Sequence, residues 1–107
     1  MNSRLSIGCA LLLMLAFLLT GCASGKRSYS SGVEAIQDQK FDLAVAELTK
    51  ALYTDPGNAE FRARLATARS RAALFHLENG RRLKGERKLV EASGEYKLAV
   101  ALSPVLD

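Results

Sequence analysis

At 107 residues, with two cysteines, one histidine and a formal net charge of +4, the chain has room for one small domain and its modest core. Two thiols do not make a disulfide framework, one histidine does not make a metal centre, and a mild positive charge by itself names no partner.

In chain order, Arg4 precedes an uncharged run from Ile7 to Leu19 that includes Leu11, Leu12, Leu13, Leu15, Phe17 and Leu18. A positive start followed by a short apolar stretch predicts an export leader, too short to span a bilayer comfortably. The run closes on Leu19, Thr20, Gly21 and Cys22. A small-residue pair followed by cysteine at that point resembles the bacterial lipobox. The resemblance implies a lipoprotein signal peptide over 1–21, lipidation of the Cys22 thiol, and attachment to the membrane through lipid. Buried acyl groups contribute about 0.8 kcal/mol per CH2, so several chains suffice without a spanning helix. Ala23 follows where an aspartate holds some lipoproteins at the inner membrane, so the resemblance implies an outer-membrane lipoprotein facing the periplasm. The residues alone also fit an ordinary export signal with an incidental cysteine, or an uncleaved anchor. Cys9 lies within the leader, so a mature chain acylated at Cys22 keeps no thiol for a disulfide.

Residues 22–31 are small and polar, a composition that predicts a flexible tether carrying the lipid. From Gly32 onward the apolar residues fall at helical spacing, and an all-α domain is expected over 32–107. The expected helices run from about Tyr29 to Gln39, Phe41 to Thr54, Ala59 to Lys84 and Glu86 to Leu102. Asn58 is placed to cap the third, after the turn-forming Asp55, Pro56 and Gly57. Phe61, Leu65, Ala68, Ala72 and Phe75 predict its buried stripe.

Two phrases repeat: Glu47 to Pro56 reads ELTKALYTDP, and Glu95 to Pro104 reads EYKLAVALSP. At that offset of 48, the distance from Pro56 to Pro104, Gly32 matches Gly80, Ala44 matches Ala92, Leu48 matches Tyr96 and Ala51 matches Ala99. Small residues let antiparallel helices approach, a large one fills the groove, and proline ends the second helix. Gly32, Ala44, Leu48, Ala51 and Pro56, and again Gly80, Ala92, Tyr96, Ala99 and Pro104, resemble the signature of the tetratricopeptide repeat. The resemblance implies two helical hairpins, at about 25–58 and 73–106. The family's period is about 34, so about 14 residues, 59–72, are extra. Close to four helical turns, they are expected to lengthen the third helix without rotating its buried face.

No catalytic constellation is evident, and no enzyme activity or cofactor is expected. His76 occupies the repeat's aromatic position, where a packed ring is the simplest reading. The glycines are scattered and form no phosphate-cradling loop. Between Ala59 and Lys88 the basic residues, Arg69, Arg71, Arg81 and Arg82 among them, far outnumber the acidic ones. That segment is either a solvated face or a contact surface for an acidic partner or anionic headgroups. Nucleic acid is disfavoured, because no aromatic residues interleave with the arginines, and nothing suggests a small-molecule substrate. If the repeat groove binds a partner, Ala35, Gln39 and Asp42 of the first hairpin and Arg69, Arg81 and Leu83 of the second are the expected contacts. Val100 and Leu102 of the last helix are expected to expose apolar surface and leave an open flank. The whole pattern is similar to the N-terminal repeat segment of secretin-like secretion and pilus proteins, which implies an adaptor for protein partners in an envelope assembly. The alternative is a self-assembling structural protein whose open end stacks on the next copy.

Overall fold

The structure, a computed structural model, describes the backbone of residues 2–103 and the side chains of that range except those of residues 2, 3, 5 and 16–24. Pro104 and the side chain of Cys22, both singled out in the sequence, lie outside the described residues. The described chain is all-α: α1 Asn2–Gln37, α2 Phe41–Thr54, α3 Ala59–Gly85 and α4 Leu89–Leu102. The bounds of α2 are those expected, and α3 differs by one residue. Asn58 caps α3 by accepting the Phe61 N–H at 3.1 Å. Arg62 ties the same turn by donating to the Pro56 carbonyl at 3.1 Å.

Helices α1 and α2 form one hairpin, α3 and α4 a second, and α2 packs against α3 between them. The two hairpins close on the same turn. Gln39 and Arg87 take left-handed φ values of 60° and 61°. Around them Lys40 donates to Ala35 at 2.8 Å and Lys88 to Leu83 at 2.9 Å, while Gln39 donates to Ile36 at 3.1 Å and Arg87 to Lys84 at 3.0 Å. These bonds satisfy the last carbonyls of α1 and α3 as a left-handed helix cap does. The expected start of α4 at Glu86 moves to Leu89 because Glu86, Arg87 and Lys88 make this turn.

Both hairpins are also held at the same close approach. A Cβ added to Gly32 would lie 2.5 Å from Leu48 Cγ, and one added to Gly80 would lie 2.7 Å from the Tyr96 ring. Each large side chain therefore occupies space that only a glycine leaves open. Leu48 is fully buried, in a cluster with Ala35, Ala44 and Ala68, on which Tyr29, Ile36, Val45 and Leu65 pack. Tyr29 also stacks on Phe61, ring centroids 4.8 Å apart, and donates to Glu60 at 2.7 Å. These contacts join α1 to the start of α3.

Three further expectations change. The first helix, expected over Tyr29 to Gln39, runs over Asn2–Gln37. The segment read as a tether, 22–31, is helical and continuous with the rest of α1. Gly25 is buried, and a side chain there would collide with Thr54. Serine and glycine are poor helix formers in isolation, but here packing against α2 outweighs propensity. The buried stripe of α3 also departs from expectation, comprising Phe61, Ala68, Ala72, His76 and Gly80, while Phe75 is 44% exposed. Steps of four residues overshoot a full turn by about 40° each. Between Ala68 and Gly80 the buried face therefore rotates, passing from the first hairpin to α4 instead of keeping one direction.

Gly32→Ala or Gly80→Ala should destabilise the fold by about 1–3 kcal/mol through overpacking, measured by urea unfolding; an unchanged midpoint would contradict the close approach. Gln39→Gly and Arg87→Gly should each stabilise it by roughly 0.5–1 kcal/mol, since the left-handed penalty of an L side chain exceeds the entropic cost of glycine. A loss of stability in either variant would count against the turn geometry.

Candidate functional site

Two features stand out beyond the core: an ionisable junction between the hairpins, built on a buried histidine, and an uncovered apolar face on α4. The junction centres on His76, 5% exposed on α3. Its Nδ1 lies 2.6 Å from Glu95 Oε2 on α4. Its Nε2 lies 2.9 Å and 3.1 Å from the carboxylate oxygens of Asp42, in the first turn of α2. One imidazole thus joins three helices and both hairpins. Phe75 packs edge-on against Phe41 and against the His76 ring, with centroids 6.2 Å and 5.5 Å away.

Hydrogen-bond inventory favours one charge state over the other. A neutral imidazole has one N–H, and an ionised carboxylate only accepts. Two hydrogen bonds to two carboxylates require the imidazolium. Burial alone lowers the His76 pKa, but the hydrogen bonds to Glu95 and Asp42, with their charges, outweigh it and raise the pKa above the ordinary 6.5. Both ring nitrogens are occupied by carboxylates, so neither is presented to a substrate. Among the described residues no group of His, Cys, Asp and Glu side chains is arranged to hold a metal ion.

The second feature is a groove of about 580 Å³ along α4, lined by Leu89, Ala92, Tyr96 and Val100 together with Lys84 and Lys97. Leu89 and Val100 are 63% and 59% exposed. Of the flank expected on the last helix, Val100 lines this groove, while Leu102 is half-buried and lies outside it.

The expected partner contacts are dispersed. Ala35, 3% exposed, fills the core beside Leu48 and meets no partner there. Asp42 is held by His76. Gln39 is the exposed left-handed residue of the first turn. Arg69 and Leu83 are half-buried on α3, and Arg81 is exposed. Of the signature positions, Gly32, Ala44, Leu48, Ala51, Gly80, Ala92 and Ala99 are buried, Tyr96 is half-buried, and Pro56 sits in the exposed turn after α2. Sequence reasoning placed the His76 ring inside but missed its carboxylates. The available signal was that His76 replaces Ser28 of the first unit while its neighbour Glu95 matches Glu47.

No helix among the described residues is long and apolar enough to cross a membrane. No protein-family model, no curated protein and no solved structure matches the chain.

The sign of the pH effect follows from the raised pKa. The stability that His76 contributes is complete below pH 6.5 and is lost as pH rises through its higher folded value. Thermal unfolding should therefore show a melting temperature that declines across this range. His76→Gln should remove the decline, and a wild-type slope retained in that variant would rule out the junction as its source.

Proposed function

We propose that the chain is a lipoprotein of tetratricopeptide-like hairpins, anchored through Cys22, that acts as a protein-binding adaptor in a bacterial envelope assembly of the secretin type. The duplicated hairpin carries this reading. The same turn and the same glycine against a large side chain recur at an offset of 48, in Gly32 with Leu48 and in Gly80 with Tyr96. Such a scaffold buries one face of each helix pair and leaves extended surface for another chain. The apolar run before Cys22 supplies the leader, and Cys22 the acceptor thiol. On this reading the protein faces the periplasm from the outer membrane and performs no chemistry of its own.

A second reading, self-assembly into an oligomer or filament, draws support from the exposed Leu89, Val90 and Val100 of the last helix. A head-to-tail contact through that end would build rings or open fibres. Sedimentation over a hundredfold concentration range separates the two, because an adaptor stays monomeric and a self-assembling chain does not.

Cys22→Ser should move the protein from the membrane fraction to the soluble fraction and abolish labelling by a clickable palmitate analogue. Labelling that persists in the variant would refute the anchor. Crosslinking in intact envelopes should attach the wild-type chain to a different polypeptide.

A further inference from the structure

We propose that the groove on α4 is a receptor for a single amphipathic helix of a partner polypeptide, apolar along one stripe and acidic along its flanks. The first hairpin supplies the template. At the offset of 48, Leu89 corresponds to Phe41, Ala92 to Ala44, Ser93 to Val45 and Tyr96 to Leu48. In the first hairpin this face is covered by a helix. Leu65 and Ala68 of α3 cluster with Ala44, Val45 and Leu48, and Phe75 sits edge-on to Phe41. In the second hairpin the same face is the open groove. Leu89, Ala92 and Tyr96 keep its apolar stripe while Ser93 replaces Val45, so what fits it is an element shaped like the covering part of α3, with large or small apolar residues at steps of three and four.

The charge along the groove differs from the template and selects the partner. Ile36 of the first hairpin becomes Lys84, and Thr49 becomes Lys97. Among the described residues no acidic side chain lines the groove. Lys50 and Lys88 pair with Glu47 and Glu86, whereas neither Lys84 nor Lys97 meets a carboxylate among the described residues. A docking helix therefore gains by bringing Asp or Glu to both lysines. The arginine-flanked α3, with Arg62, Arg64, Arg69 and Arg71, has the wrong sign for this surface, which argues against a second copy docking through that helix. The inference rests on the adaptor reading and names the chemistry of its partner.

The test uses two fluorescein-labelled peptides and the purified full chain. One peptide has the native sequence of residues 59–76, the part of α3 that covers the first hairpin. The other carries Glu at positions 62, 64, 69 and 71. By fluorescence anisotropy the acidic peptide should bind at least tenfold more tightly than the basic one. Leu89→Glu with Val100→Glu should weaken it at least tenfold, and Lys84→Glu with Lys97→Glu should reverse the preference. All four positions are exposed, and circular dichroism checks that each variant stays folded. Absence of binding, equal binding of both peptides, or indifference to the groove variants would overturn the proposal. So would a concentration-dependent dimer that the Leu89 and Val100 changes dissolve, because the occupant would then be a second copy. Envelope crosslinks that persist in the groove variants would sink this inference alone, whereas peptide binding without any envelope crosslink would sink the adaptor reading alone.

Discussion

The fold depends on two missing methyl groups. At Gly32 and Gly80 the absence of a Cβ lets Leu48 and Tyr96 sit almost against the facing helix backbone. Antiparallel helices at that separation bring the small residues Ala44 and Ala92 into the seam, both nearly or fully buried. The reach of each three-residue turn, and hence the left-handed backbone at Gln39 and Arg87, is matched to the same spacing. Interiors of this kind are close-packed, so the separation of the helices is set by side-chain volume and not by the connecting loop.

Much of this architecture was legible because it lies in local patterns. Pro56 and Gly57 break the helical phrase, Asn58 restarts it, and the apolar spacing runs unbroken to Lys84; α2 and α3 follow these cues almost residue for residue. The repeat of Gly32, Ala44 and Leu48 at Gly80, Ala92 and Tyr96 anticipated which residues meet across each hairpin. The helical state of 22–31 was hidden, since Ser24, Gly25, Ser28 and Ser30 suggest a loop when read alone. The contact that favours helix there comes from Thr54, far along the chain. Phe75 was misplaced for a geometric reason: a stripe that alternates three- and four-residue steps holds its direction, and the real one, which runs in fours from Ala68 to Gly80, does not.

The junction at His76 was the least legible part. Asp42 is 34 residues before His76 and Glu95 is 19 after it, and no local rule connects them. Each side chain alone has an ordinary reading as a helix-surface acid or a packed ring. Their meeting follows from the rotation of the buried face along α3, which turns position 76 toward α2 and α4 together. The result is an ionic contact in place of the hydrocarbon packing found at the other seams. Replacing such a group with a well-packed apolar residue is often neutral or stabilising, so what the contact fixes is the placement of α2, α3 and α4, which meet at His76.

The uninterrupted course of α3 has one more consequence. It belongs to both hairpins, covering the first with its leading half and forming the second with its trailing half. Its 27 residues make a rod of roughly 40 Å with no proline or hinge inside it. The hairpins are therefore not beads on a string, free to reorient about a linker. A load applied at one end of the molecule is delivered to the other as torque along a single stiff shaft.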